Sequence, residues 1–311
     1  MAVVGVDVGG TNIGIGVVDD DHAVHHRAKE PTPTSVDELI GQVGRLLGDL
    51  DVAFDGIGVG IPGIIDAGTV VQAPNLEGWA DDTDVPGALQ EQLGVPAVLV
   101  NDAQAGVLGE WVAGAAEGDR FVLGVWLGTG VGGGLVLDGR SYGGAGGGSG
   151  ELGHLVVRPD GARCGCGRRG CLEAYAGRRM MTESARAMVA AGRTTRLFAI
   201  QEAKGRAKAT SGIWSAALDE GDRVATELID EAVDALGVAV ASSLNLLDLD
   251  RVVVGGGMAD KFGQDLADRI ASAARPHAVR PVGDDLVVVA ALGDDSGLVG
   301  AAHIARQERS D

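Results

Sequence analysis

The apolar positions of this chain fall into short runs of strand length, separated by helical stretches and by turns rich in glycine. Residues 3–8, Val-Val-Gly-Val-Asp-Val, form an apolar run in which Asp7 is the one charged position. Gly9-Gly10-Thr11-Asn12 then predicts a turn, and Ile13–Val18 a second strand running toward Asp19-Asp20-Asp21. The same order of features returns roughly 120 residues later, the sign of an internal repeat. There Phe121–Leu127 reads as a strand, Gly128–Gly132 as a glycine-rich turn, and Gly133–Leu137 as a return strand ending at Asp138-Gly139. Two such units predict a duplicated domain, each half presenting a backbone-rich loop to one ligand. Between them, Ser35–Leu50 has amphipathic helical spacing, Gly56–Ile61 and Ala97–Val100 read as buried strands, and Asp102–Ala115 as a helix.

Further along, Ala174–Ala191 and Asp222–Leu247 carry helical spacing, the second long enough for a central packing helix. Arg251–Val254 is a strand running into Gly255-Gly256-Gly257, Leu286–Ala291 a last core strand, and Ser296–Gln307 a C-terminal helix. Strands alternating with helices, together with two hairpins, predict an α/β protein with a mixed sheet in each half. The glycine-dense Tyr142–Gly150 is the nearest approach to a linker, and Ala199–Leu218 matches no motif.

Composition narrows the class. A chain of 311 residues can bury a sizeable core, and one or two domains are expected. Only ten residues are aromatic, so the core must be built mainly from Val, Ala, Leu and Ile. No apolar run approaches the roughly 18 residues of a membrane span. The first strand lacks the basic region and cleavage site of a secretory leader, so a cytoplasmic protein is expected. Acidic residues number 44 against 25 Lys and Arg, a net charge of −19, with 30 of the acids being Asp. Such self-repulsion is screened within about 3 Å at molar salt, which fits a halophilic cytosol; an ordinary acidic bacterial enzyme is the other reading. The charge excludes nucleic acid as a partner, since that needs a basic stripe.

All three cysteines lie within eight residues of one another, close behind a histidine, in the order His154-x9-Cys164-x-Cys166-x4-Cys171. Three thiolates and an imidazole form a closed tetrahedral set of the kind Zn²⁺ prefers, and Gly165, Gly167 and Gly170 allow the chain to turn tightly around an ion. A disulfide with one spare thiol fits less well with an odd cysteine count and a strained two-residue ring.

Three other constellations carry chemistry. Asp7-Val8-Gly9-Gly10-Thr11 sets a carboxylate at a strand end before two glycines and a hydroxyl, which suits a Mg²⁺-bound polyphosphate as well as a plain hairpin turn. Gly128-Thr129-Gly130-Val131-Gly132-Gly133-Gly134 offers bare backbone for close approach to phosphate. Neither a G-x-x-x-x-G-K-[ST] loop nor a dinucleotide-binding G-x-G-x-x-G opening a helix is present. Asp102, directly after a strand, suits a general base toward a hydroxyl attacking a phosphoryl group and equally a helix N-cap. Glu151 and Glu173 bracket the cysteine block, placed either to take hydrogen bonds from vicinal sugar hydroxyls or merely as surface charge.

Taken in order, Asp7-x-Gly9-Gly10-Thr11, Asn101-Asp102, Gly128-Thr129-Gly130-x-Gly132-Gly133-Gly134, Glu151-x-Gly153-His154, Cys164-x-Cys166-Gly167-x-x-Gly170-Cys171-Leu172-Glu173, Val254-Gly255-Gly256-Gly257 and the Gly297–Ala302 tail resemble the ROK (repressor/open reading frame/kinase) family from end to end. The resemblance implies an actin-like ATPase, ribonuclease-H-like fold, duplicated into two domains around a cleft: residues 1–115 with the C-terminal helix 296–311, and residues 116–295. It implies an ATP- and Mg²⁺-dependent hexose kinase, glucokinase-like, with structural Zn²⁺ at His154, Cys164, Cys166 and Cys171. Asp102 matches the family's catalytic base. Gly63, Asn75, Asn101, Glu151, His154 and Glu173 match sugar-binding positions. Asp7, Gly9, Gly10, Thr11, Asn12, Gly128, Thr129, Gly130, Gly256 and Gly257 match nucleotide and metal–phosphate positions. A fructokinase or N-acetylhexosamine kinase of the same family is the nearest alternative. A sugar-responsive transcriptional regulator is disfavoured, because the kinase-like pattern begins at Val3 with no DNA-binding segment before it. The expected partners are a hexose, a nucleotide and further copies of the chain in a homo-oligomer, with no membrane.

Overall fold

In the structure, a computed structural model, residues 2–10, 12–48, 52–66, 68–72 and 84–308 are described. The chain divides into two units, one of residues 1–124, 134–150 and 291–311, the other of residues 125–133 and 151–290.

The first unit opens with β1 (Val3–Val8), β2 (Asn12–Val18) and β3 (Val24–Pro31), followed by α1 (Val36–Gly48) and β4 (Ile57–Ile61). A short hairpin, β5 (Ile64–Asp66) and β6 (Thr69–Gln72), precedes α2 (Val85–Leu93), β7 (Ala97–Asn101) and α3 (Asp102–Ala113). The sheet order is β3-β2-β1-β4-β7, with β2 antiparallel to β1 and β3, and β4 parallel to β1 and β7. One face of β1 and β4 (Val4, Val6, Ile57 and Val59 among others) packs against Leu39, Val43 and Leu47 of α1, which recur at the spacing of one helical face.

The chain passes to the second unit along β8 (Val122–Leu127) and returns along β9 (Val131–Leu137) to β10 (Arg140–Ser141). The second unit then builds α4 (Glu173–Ala176), α5 (Arg178–Ala190), α6 (Leu197–Ala203), α7 (Ser211–Asp219), α8 (Arg223–Leu247), β11 (Arg251–Gly255), α9 (Ala259–Ala274) and β12 (Val287–Val289). The second sheet runs β10-β9-β8-β11-β12, the order of the first sheet repeated strand for strand. The duplication read from the two strand–glycine turn–strand units is therefore present in the topology.

Two elements differ from their sequence reading. The span Ala174–Ala191 is broken at Gly177, whose ψ of 124° is extended. The break lets the first amides of α5 leave the helix ladder: Arg178 N–H donates to Gly128 O at 3.3 Å and Arg179 N–H to Thr129 O at 3.0 Å. A tertiary partner has taken over donors that a continuous helix would satisfy internally. The last core strand is also shorter than Leu286–Ala291, three residues at a sheet edge. Residues 199–218, which match no motif, fall in α6, α7 and the turn between them. Among the described residues no helix is long and apolar enough to cross a membrane.

The last helix, α10 (Ser296–Gln307), lies in the first unit, and glycine explains how closely. A Cβ at Gly5 of β1 would sit 2.1 Å from Leu298 O, and one at Gly58 of β4 1.8 Å from Ala301 O. On the other side, a Cβ at Gly109 of α3 would meet Ser296 O at 2.0 Å. Side chains are excluded at all three positions, so α10 packs backbone to backbone against sheet and helix.

Its entry is fixed by Glu110, a fully buried carboxylate in the apolar helix α3. Glu110 accepts from Ala291 N–H (2.8 Å), Leu292 N–H (2.9 Å), Ser296 Oγ (2.6 Å) and Ala115 N–H (2.9 Å). Four donors on two oxygens are what make a buried charge tolerable. Glu110→Ala strands those donors and is expected to cost about 3–5 kcal/mol of stability in denaturant unfolding. A loss below about 1 kcal/mol would show that α10 is held without it.

Candidate functional site

In the first unit the candidate residues gather where β1, β4 and β7 end. Asp7 is half-buried on β1, flanked in register by Gly14 and Gly60, and faces α10: a Cβ at Gly297 would lie 2.8 Å from its Cγ. Burial pushes its pKa up to about 7, Asp102 and Asp294 add to the rise, and Lys29 opposes it. A carboxylate whose charged form is disfavoured in this way would be stabilised in that form by a nearby cation. Gly9 closes the turn by donating its N–H to Asn12 O at 2.9 Å and accepting from the Thr32 hydroxyl, while Gly10 is exposed. Thr11 and Asn75 lie outside the described residues.

The start of α3 settles one ambiguity in the sequence. The N-cap is Asn101, whose Oδ1 accepts from Gln104 N–H at 2.9 Å, and not Asp102. Asp102 is the first helical residue, half-buried, its Oδ1 accepting from Ala103 N–H at 2.8 Å. A carboxylate there is favoured by the helix dipole. Asn101 also reaches across with Nδ2 to Gly63 O at 2.9 Å, and Gly63, with φ of 147°, is a position suited to glycine. Gln104 anchors the helix by pairing its side-chain amide with both backbone groups of Leu135, each at 2.8 Å.

In the second unit the four predicted metal ligands come together. The donor atoms of His154, Cys164, Cys166 and Cys171 all lie within 4.8 Å of one another. All three cysteines are free thiols, and the Cys166–Cys171 sulfur separation is 3.8 Å. That is far beyond a disulfide of about 2.05 Å. It matches the edge of about 3.8 Å expected for a tetrahedron with metal–sulfur bonds near 2.3 Å. The donor set and its spacing fit zinc. His154 turns Nδ1 toward Cys164 Sγ (3.9 Å) and Nε2 toward Glu151 Oε2 (3.9 Å). The local fold follows from glycine: Gly167 and Gly170 have φ of 87° and 78°, and a Cβ at Gly170 would collide with Arg158 O. Leu172 N–H donates to Leu155 O at 2.9 Å, tying the cysteine loop to the histidine segment.

The cysteine loop presses on the glycine turn after β8. A Cβ at Gly153 would lie 2.1 Å from Val131 O, and Glu173 Oε2 accepts from Val131 N–H at 3.1 Å. Glu173 thus faces Gly130 and Val131, where its position beside the cysteines left a sugar contact and plain surface charge both open. The turn itself is closed by Gly128 N–H on Gly130 O at 3.0 Å. Gly256, with φ of 84°, sits against Leu127 O at the end of β8, so the turns 128–130 and 255–257 are neighbours. Sequence reasoning missed Arg178, which joins them: its Nη2 donates to Thr129 Oγ1 at 3.3 Å. The Gly-Arg-Arg that follows the Glu173 helix was its only signal.

Two halves built on the same five-strand order, each with a glycine turn after its first strand, make this an actin-like α/β fold. The profile of the ROK family matches residues 3–308, and the chain belongs to that family. It is similar to a glucokinase of Streptomyces coelicolor, 34% identical over 98% of this chain and 97% of the relative. It is also similar to an N-acetylmannosamine kinase of Citrobacter koseri, 32% identical over 99% of this chain and 100% of that protein. Among solved structures, a ROK family glucokinase from Streptomyces griseus in complex with glucose and AMPPNP superposes with a TM-score of 0.85. It is 32% identical, over 99% of this chain and 100% of that one.

Proposed function

We propose that this protein is a glucokinase, transferring the γ-phosphoryl group of ATP to the 6-hydroxyl of glucose. The observation that carries the reading is the end-to-end similarity to glucokinases, combined with an Asp102 relieved of helix capping by Asn101. Asp102 would accept the proton of the attacking hydroxyl, and the amides and Thr129 of the 128–130 turn would donate to phosphate oxygens. Asp7 would hold Mg²⁺, which would supply positive charge to offset that of the phosphates, and a cation there would favour the ionised form of this carboxyl. Zn²⁺ would be held by His154, Cys164, Cys166 and Cys171, serving to fix Glu151, His154 and Glu173 toward sugar hydroxyls. Asn101, Gly63 and Asn75 complete the proposed sugar contacts. The net charge of −19 supports a protein that works at high salt, in a halophilic cytosol.

A coupled assay of purified protein at molar salt tests this reading. Glucose with MgATP is expected to give the highest kcat/KM in a panel that includes fructose, N-acetylmannosamine and N-acetylglucosamine, with ADP and polyphosphate as alternative donors. A higher kcat/KM for N-acetylmannosamine would move the assignment to the kinase class represented by the Citrobacter koseri relative. No turnover of any hexose would overturn it.

A further inference from the structure

Many arginines in this acid-rich chain are paired with a carboxylate, and others with none in ion-pair distance, such as Arg140, Arg163, Arg186 and Arg223, are exposed to solvent. Arg27, Arg45, Arg158, Arg193 and Arg269 each have a carboxylate oxygen between 2.5 and 2.8 Å away. Arg178 is different. It is half-buried at the start of α5, and among the described residues no carboxylate lies within ion-pair distance of it. Burial alone shifts its pKa, downward, with no acid opposing the shift. A desolvated guanidinium without a counter-ion is costly, and the cost is recovered when an anion arrives.

The surroundings say which anion. One terminal nitrogen, Nη2, reaches the Thr129 hydroxyl of the Gly128–Gly130 turn. The other, Nη1, faces the Gly255–Gly257 turn: a Cβ built on Gly257 would stand 3.9 Å from it and 3.2 Å from Ser211 Oγ. The guanidinium therefore spans two bare-backbone turns with a hydroxyl on each side, Thr129 and Ser211. A planar fork of N–H donors flanked by hydroxyls and unobstructed amides suits the tetrahedral oxygens of a phosphate chain, and a carboxylate or a neutral ligand would leave donors unused. We propose that Arg178 is a direct ligand of the polyphosphate of the donor nucleotide, gripping it between the two glycine turns of the second unit. The proposal rests on the kinase reading for its choice of nucleotide.

The test is calorimetric titration of the purified full-length protein with ADP and, separately, with adenosine, for the wild type, Arg178→Met and Arg178→Lys. Loss of one charged, hydrogen-bonding partner is expected to weaken ADP binding in Arg178→Met by about tenfold or more. Arg178→Lys should recover part of that affinity. Adenosine, which has no phosphate, should bind all three proteins alike, and KM for glucose should be unchanged. Unchanged ADP affinity in Arg178→Met would overturn the proposal. So would an equal loss for ADP and adenosine, which would mean that Arg178 only supports the loops. If the wild type binds ADP but phosphorylates no hexose, the kinase reading fails while the ADP comparison still decides the role of Arg178.

Discussion

Asp102→Asn is expected to lower kcat by about 10²–10⁴ while leaving glucose affinity within about twofold, the range that removal of a general base produces. The substitution is close to isosteric, and its amide oxygen can still accept from Ala103 N–H as the carboxylate does. Helix α3 keeps its start, because the cap is supplied by Asn101. What the amide cannot do is take a proton from the 6-hydroxyl as that oxygen attacks phosphorus. The same change removes a negative charge that raises the pKa of Asp7, so Asp7 should ionise more readily and hold a divalent cation no worse than before. Both effects are read together by measuring kcat, glucose affinity by calorimetry, and the KM for MgATP. A rate within tenfold of wild type would remove Asp102 from the chemistry. Lost sugar binding with a retained rate would make it a binding residue and nothing more.

The strand–glycine turn–strand repeat was legible because strands of Val and Ile alternate with turns that only glycine makes easily, and both signals are local. Cys164, Cys166 and Cys171 were legible as a cluster for a similar reason: three cysteines in eight residues leave little choice of partner. The features that escaped are those in which one segment answers another far away in sequence. Gly177 breaks a helical pattern because the carbonyls of Gly128 and Thr129 capture the next two amides. Glu110 stands in the apolar helix α3, an oddity in the sequence whose meaning lies 181 positions later at Ala291. Gly5, Gly58 and Gly109 read as strand and helix glycines, and only the return of α10 shows why no side chain fits there. Which of Asn101 and Asp102 caps α3 could not be read from order alone, since either side chain can serve. The bond from Gln104 N–H shows that the cap is Asn101.

Removing zinc should act on sugar first and nucleotide second. Cys166 is the ligand to change, being exposed where Cys164 and Cys171 are buried, so Cys166→Ser tests coordination with little disturbance of packing. The binding free energy of a structural zinc site, about 10–16 kcal/mol in isolated modules, is spent on ordering the loop that carries it. Without it, the segment from Glu151 to Glu173 keeps its backbone ties, such as Leu172 N–H to Leu155 O, but loses the cross-link that sets the His154 ring. We expect Cys166→Ser protein to lack stoichiometric zinc by mass spectrometry and to show a KM for glucose raised about 10–100-fold, the usual cost of loosening groups around a metal. Glu173 also holds Val131 N–H and crowds Gly130, so a smaller rise in the KM for ATP should accompany it. Zinc-free protein with an unchanged KM for glucose would show that the ion does not position the sugar ligands. A rise confined to ATP would instead place the function of the metal at the Gly128–Gly130 turn.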